Sequence, residues 1–453
     1  MKDNNSINDN INDFIYNIDF FNYSVKNADF CNGKYIQEIS KCVLNCIRIV
    51  RLDNSNSIYV YSNLGYYVKA EPWLIPAITK RLIESVGLIW RFSDDKAINT
   101  AIMRDCTNTI SAFNSNNSIN LKNGVFNLTT GAFETHNPEN SLFTYVLDYE
   151  YNPTADCPLF KKFIKETACN DHNMQLVLQE IIGYSLSVDV KAEKAFFFYG
   201  KGCNGKSILA TIINNLVGSE QICAVSLSAL SENFGMSAMI NKRVNIASEN
   251  EILPNSERLK SLISCDKINI PIKYKEDWSG VLFTKHIFLM NSLPQTNDLT
   301  HGFFRKIMII PFNNNISPSE IDIRLKDKLL LELSGILNWA YSGYRRLVEQ
   351  NYVFTFCNAI DDILKYYMSR ENPTKDFFFD NYIKDNNSSI LKSEIYEDYV
   401  VWCNNMGYEI MNRQKFHNAL KIKSMEEDCN IELNNVKRKG LHYLVGYKRI
   451  TDN

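Results

Sequence analysis

Zinc-type spacing is missing from this chain: none of its 12 cysteines forms a C-x-x-C pair, and none of its 6 histidines stands at finger spacing. The cysteines are therefore expected to be reduced thiols rather than a metal or disulfide framework. Long apolar runs are missing too; no stretch approaches the ~18 apolar residues that a membrane-spanning helix takes. The first residues, MKDNNSINDNINDF, are acidic and Asn-rich and hold no apolar segment of a secretory leader. No membrane partner and a cytoplasmic location are expected. Charge of one sign is also absent, since 49 basic against 51 acidic residues leave a net −2. A nucleic-acid surface must then be a local patch. No internal repeat is visible, and 453 residues exceed one simple core, so about two to four domains are expected.

What is present is an alternation of strand and helix patterns. SIYVYSNLGYYVKAEPW (57–73) predicts a hairpin turning at Asn63–Gly65, and PAITKRLIESVGLIW (76–90) a helix. Residues 120–153 predict short strands broken at Asn123–Gly124 and Thr130–Gly131, and 159–186 helical periodicity with a break near Asn170. From Ala195 strands and helices alternate, which predicts a parallel sheet. Apolar residues at 330, 333, 337, 340, 344 and 348 form one stripe of a long helix over 329–350. A polar break, KDNNSS (384–389), precedes a last segment that reads helix (391–404), helix (412–423) and a hairpin around KRKG (437–440).

The stretch FFFYGKGCNGKSILATI (196–212) carries the chemistry. GKGCNGKS fits G-x-x-x-x-G-K-[ST] without a mismatch, after a β-rich run (195–199) and before a helical one (207–217). Gly200, Gly202 and Gly205, with Asn204 between, let backbone amides converge on phosphate oxygens. Lys206 would reach the β- and γ-phosphates and Ser207 would hold Mg²⁺, so ATP with Mg²⁺ is the expected cofactor pair. A P-loop by itself leaves kinase, GTPase, motor and transporter ATPase open. Downstream, VNIAS (244–248) is a strand running into the acidic Glu249 and Glu251, candidates for magnesium binding and water activation. Seen alone it is equally a strand before an acidic loop. KHIFLMNSLP (285–294) ends a strand at Asn291, and THGFFRKIMIIPF (300–312) sets Arg305 and Lys306 ahead of another. Singly these are an ordinary strand end and a solvated charge pair; in this order they support one another.

GKGCNGKS, IASENE, FLMNSLP and GFFRKIMIIPF together resemble the superfamily 3 helicases, in particular the branch of phage, plasmid and poxvirus-type primase–helicases. NGVFNLTTG (123–131) and LELSGILNWAYSGYRRL (331–347) are similar to flanking segments of that branch, so the resemblance covers roughly 120–450. It implies an α/β fold: an AAA+ P-loop ATPase core with an α/β N-terminal domain and a C-terminal winged-helix domain. It further implies a homo-hexameric ATP-driven DNA helicase of a phage or mobile element, moving 3′ to 5′ on single-stranded and forked DNA. Carried over, Lys206 and Ser207 match the Walker A lysine and hydroxyl, and Glu249 the Walker B acid and metal ligand. Glu251 is a second acidic candidate, Asn291 the sensor and Arg305 the finger acting on a neighbour's ATP. Residues 259–278 match the DNA-contacting hairpin, with Lys273 and Lys275 gripping phosphates. The family's usual Gly before Asp266 is Cys265 here, and a frequent arginine pair is Arg305–Lys306. Lysine cannot make the bidentate phosphate contact, which favours Arg305, although either position is compatible with the sequence.

The ends of the chain are read separately. FSDDKAIN (92–99) lies between helical segments and reads as a cap rather than a metal-binding carboxylate pair, so residues 1–153 are expected to be an accessory or collar domain. The remainder divides into a helical oligomerisation segment (154–190), the core (191–315), a helical lid or linker (316–384) and the winged helix (385–453). Between 412 and 449 stand nine basic residues, among them Arg413, Lys415, Lys421, Lys423, Lys437, Arg438 and Lys439, against four acids. That local excess is the footprint of a DNA-binding module, with origin DNA a further candidate ligand. Two alternatives stay open on sequence: an ATP-gated origin-binding protein without unwinding activity, and a P-loop small-molecule kinase.

Overall fold

The computed structural model describes residues 34–53, 57–85, 89–202, 204–232, 234–248, 253, 255–273, 276–296, 298, 300–314, 322–424 and 431–450. Its first unit runs α1 (Lys34–Cys46), β1 (Ile49–Leu52), β2 (Ile58–Tyr61), β3 (Tyr67–Lys69), α2 (Leu74–Ser85), α3 (Phe92–Asp105) and β4 (Thr109–Ile110). The sheet order is β3-β2-β1-β4, antiparallel except for the parallel β1–β4 pair. Gly65, at φ +85°, turns the 57–73 hairpin where the sequence predicts it. The helices lay Ile39, Val43, Ile78, Ile98 and Ile102 over this sheet as a separate small core. Two readings change. The helix expected at 76–90 ends at Ser85, and the FSDDKAIN segment is the first half of α3, with Trp90 donating to Asp95 at 2.8 Å.

A meander follows: β5 (Ser118–Leu121), β6 (Gly124–Asn127) and β7 (Phe133–Glu134). The Asn127 carboxamide accepts from the amides of Thr129 and Thr130 at 2.9 and 3.0 Å, fixing the second turn. Next come α4 (Pro158–Thr167) and α5 (His172–Leu186). They are parted at Cys169 and Asn170, both left-handed, and Asp171 caps α5 by accepting from Met174 at 3.1 Å.

The central unit contains β8 (Ala195–Tyr199), α6 (Lys206–Val217), β9 (Ile222–Cys223), β10 (Val244–Ala247), α7 (Ser256–Ile263), β11 (Ile268–Ile270) and β12 (Trp278–Gly280). It continues with β13 (Lys285–Met290), α8 (His301–Phe304), β14 (Ile307–Pro311), α9 (Leu325–Leu330), α10 (Leu333–Glu349) and α11 (Asn358–Glu371). Five strands form one parallel sheet in the order β14-β8-β13-β10-β9. Alternation along β8 sends Phe196 and Phe198 into the core on one face and Phe197 into the core on the other. Both faces are covered, which is why these strands read as unbroken apolar runs.

One face is packed by α5 and α10, which approach closely at Gly183: a Cβ there would lie 2.2 Å from the Ala340 carbonyl. The long helix expected over 329–350 is two helices. Its interruption has a cause, because the Glu332 carboxylate accepts from the amides of Leu159 and Phe160 at 3.1 and 2.8 Å and so caps α4. The buried stripe of α10 is Ile336, Leu337, Ala340, Tyr344 and Leu347, while Val348 is exposed. The same core takes in Ile119, Phe126, Phe143 and Tyr149, so the boundary read at 153 falls inside one continuous core. Arg243, fully buried, joins the two parts: its guanidinium donates to the carbonyls of Leu186, Asn116 (3.2 Å) and Ser118 (2.6 Å).

The last unit runs α12 (Thr374–Asn381), β15 (Tyr382–Leu391), α13 (Lys392–Met406), α14 (Arg413–Ser424), β16 (Asn434–Arg438) and β17 (Leu441–Arg449), with sheet order β15-β17-β16. Its core includes Phe377 and Phe378, ahead of the boundary read at 385. The polar KDNNSS stretch is not a break but lies within β15, as an irregularity in its pairing with β17 between Lys384 and Ser389. Gly407, left-handed, ends α13, and Lys439–Gly440, both at positive φ, make the tight turn of the β16–β17 hairpin. Among the described residues no helix is long and apolar enough to cross a membrane.

Candidate functional site

The glycine loop joins the C-terminal end of β8 to α6. A Cβ on Gly200 would meet the Asn204 amide at 2.3 Å, and Gly205 sits at φ +90° with Phe163 and Thr167 3.2 Å from where a Cβ would be. Gly202, at φ +59°, faces open space. These positions explain the glycines: each is a close approach or a left-handed turn. Gly205 also leaves the start of α6 with no side-chain cap, so its first amides face the loop.

Lys206 lies back across the loop. Its ammonium donates to the Gly200 carbonyl and to Asn204 Oδ1 (3.0 Å), while Asn204 Nδ2 donates to the Phe312 carbonyl at 3.0 Å. Burial lowers the pKa of this amine. Asn204 therefore ties the lysine to the end of β14, a link that sequence alone does not reveal. Ser207 is exposed in the first turn of α6. Glycines at close approaches and left-handed turns, an amine lying across the loop and an exposed hydroxyl in the next residue are the groups that a triphosphate with Mg²⁺ would take.

Register places the companions. Met290 pairs with Tyr199 and its carbonyl accepts from Gly200 at 3.1 Å, so Asn291, exposed, follows directly beside the loop. β10 lies on the far side of β13 and pairs Ala247 with Phe288. Glu249 and Glu251 beyond it lie outside the described residues, as does Lys275.

Arg305 is at the opposite end of the strands, ahead of β14. β14 pairs Ile307 with Ala195 and Pro311 with Tyr199, so Arg305 is level with Glu193. At ~3.3 Å per residue this is about 20 Å from Gly200, beyond the reach of a side chain to its own loop. The two cations that the sequence left open differ in setting. Lys306 is buried and donates to Glu193 (2.8 Å) and Ser264 (2.6 Å), whereas Arg305 is exposed. Lys194 donates to the Arg305 carbonyl, and its pKa is lowered by burial and by Lys306 and Arg305.

The β11–β12 hairpin pairs Ile268 with Gly280 and Ile270 with Trp278. Lys273 is exposed at its tip with the ammonium 5.4 Å from the centre of the Phe234 ring, a partner not anticipated. Cys265, ahead of the hairpin, has φ +57°, the region that favours glycine.

In the C-terminal unit Arg413, Lys421, Lys437, Arg438 and Lys439 are exposed and Lys415 is half-buried. Lys423 departs from the sequence reading: it is 8 % exposed and lies on the core side of α14, so it is not part of the outward basic face.

Comparison with known proteins bears on this geometry. The D5 N-terminal-like family matches residues 67–169, and the Poxvirus D5 protein-like family matches 369–450. Between them a family described as of unknown function, DUF5906, matches 198–305, which includes the glycine loop. Two solved structures, an apo structure and an A-form apo structure of the NrS-1 C-terminal region, each share 13% identity with a TM-score of 0.51. Each alignment covers 91% of this chain and 99% of the other, which is a likeness of fold. The chain is thus a mixed α/β protein whose flanking segments are similar to D5-type proteins, a class associated with NTPase and helicase activity in DNA replication. The two flanking matches support a likeness to the phage- and poxvirus-type primase–helicases.

Proposed function

We propose that this chain is an ATP-hydrolysing replicative DNA helicase of a phage or mobile element, working as a homo-hexameric AAA+ ring of superfamily 3. The observation that carries the reading is the opposition of two half-sites: a glycine loop at one end of the parallel strands and an exposed Arg305 about 20 Å away at the other end. A chain so built completes a site only with a neighbour, and head-to-tail repetition closes into a ring. In that ring Arg305 faces the phosphates held by the next subunit and stabilises charge developing on them. Lys206 exchanges its contacts with Gly200 and Asn204 for the β- and γ-phosphates. Ser207 and Glu249 hold Mg²⁺, whose contribution when bound is to neutralise phosphate charge. Glu249 or Glu251 orients the attacking water, and Asn291 reports the γ-phosphate to the sheet. Lys273 and Lys275 grip one strand without reading bases, with 3′-to-5′ movement as in the family. The C-terminal unit serves as a winged helix contacting DNA.

The test is strand displacement on forked DNA by the full chain and by Lys206→Ala, with and without ATP. Unwinding that needs both ATP and Lys206 is expected. ATP hydrolysis with no strand released would favour an origin-binding protein instead, and no hydrolysis even with single-stranded DNA would overturn the reading.

A further inference from the structure

The outward face of α14 carries more than charge. Phe416, Ala419 and Leu420 are buried, which fixes the helix rotation and turns Arg413, Gln414, Asn418 and Lys421 to solvent. Gln414 and Asn418 are four residues apart and so share one face. Beside them α13 and the start of β16 close a groove of about 480 Å³, lined by Lys392, His417, Asn418, Lys421, Asn434 and Asn435. Burial and the charge of Lys421 lower the pKa of Lys392, and burial with Lys392 and Arg413 pushes His417 down to about 4, so the imidazole is neutral at ordinary pH. Among the described residues the one carboxylate on the groove, Glu432, is paired with Lys384 at 3.1 Å. α14 itself contains no acidic residue. The groove thus offers carboxamides between cations.

We infer that α14 reads duplex DNA in sequence, with Gln414 and Asn418 recognising adenines in the major groove and Lys392 and Lys421 holding the flanking phosphates. This rests on the reading of the C-terminal unit as a DNA-binding module and adds what it reads. A carboxamide pairs in bidentate fashion with adenine N6 and N7, whereas lysine and arginine on phosphates carry no sequence information. Four residues of helix rise about 6 Å against about 3.4 Å per base step, so the two amides address A·T pairs one or two steps apart. β16, whose Asn434 and Asn435 line the groove, runs on into the exposed Lys437 and Arg438 and the turn at Lys439, which supply sequence-independent contacts. The ligand is a duplex with a short A·T-containing site, as a replication start would present.

The experiment is selection of random-sequence duplexes by the full chain, followed by titration of the selected and a random duplex with wild type, Gln414→Ala, Asn418→Ala and a Lys437→Ala/Arg438→Ala double variant. Both amides are exposed, so neither single variant threatens folding. Wild type should enrich A·T pairs one or two steps apart, and each amide variant should lose about tenfold of the preference at one of them. The double variant should weaken binding to both duplexes alike. Binding with no preferred sequence, or a preference unchanged in both amide variants, would overturn the inference and leave the DNA-binding module standing. If the double variant binds random duplex as well as wild type does, or no duplex is bound at all, the module reading itself fails.

Discussion

Acid should loosen the central sheet through one residue, His286. It is the second residue of β13, 1 % exposed, with its ring parallel to that of Phe288. Among the described residues neither ring nitrogen has a hydrogen-bond partner. Burial, and then the charge of Lys285, lower its pKa from 6.5 to about 4. The unfolded chain therefore takes up a proton that the folded sheet refuses, so stability is full above 6.5 and falls as pH drops towards about 4. The whole gap is worth about 3 kcal/mol, of which about 2 kcal/mol is lost between pH 7 and pH 5. Against a typical total of about 5–15 kcal/mol that is a large fraction. His286→Leu keeps comparable apolar volume and removes the titration. Urea unfolding followed by circular dichroism across this range should show a flatter pH profile in the variant, by about 2 kcal/mol at pH 5. His417, half-buried in the C-terminal unit and also lowered to about 4, accounts for part of the slope that remains. Parallel profiles for the two proteins would refute the reasoning.

Three further outcomes are expected. Gly183→Ala should push α5 off α10 and cost about 1–3 kcal/mol, read as a lower melting temperature; an unchanged temperature would count against so close an approach. Arg305→Ala should lose ATP hydrolysis while nucleotide binding stays intact, whereas Lys306→Ala should mainly lower stability, because it removes a buried side chain and its hydrogen bond to Ser264. The reverse pattern in hydrolysis and melting assays would exchange the two roles. Cys265→Gly should be neutral or stabilising by up to about 1 kcal/mol and Cys265→Val destabilising, since only glycine takes φ +57° without strain; a variant Gly protein less stable than the Val one would contradict this.

Much of the local structure was legible in the sequence because it is set locally. The glycine loop, the 57–73 hairpin, the break at Asn170 and the Lys439–Gly440 turn all depend on residues within a few positions of one another. What was hidden depends on partners far along the chain. Glu332 splits a continuous helical pattern because α4, more than 160 residues upstream, presents amides to cap. Lys306 read as one of a solvated pair with Arg305, and Lys423 as part of one basic face with Lys421; only packing separates the buried one from the exposed one in each pair. The distance between Arg305 and the loop likewise follows from strand order, which no periodicity records. Lys392 passed unnoticed since its groove is made by three separate elements.

The buried guanidinium of Arg243 has a consequence for dissecting the protein. It is seated just ahead of β10 yet spends two of its three hydrogen bonds on the carbonyls of Asn116 and Ser118, and Tyr149 in turn donates to the Leu216 carbonyl at 2.8 Å. A fragment beginning at residue 154 would therefore leave a cation inside an apolar core with two of its three receptors removed. Such a fragment should aggregate, whereas one beginning ahead of Asn116 keeps the seal, so residues 116–149 travel with the parallel-sheet unit and not with the domain that precedes them.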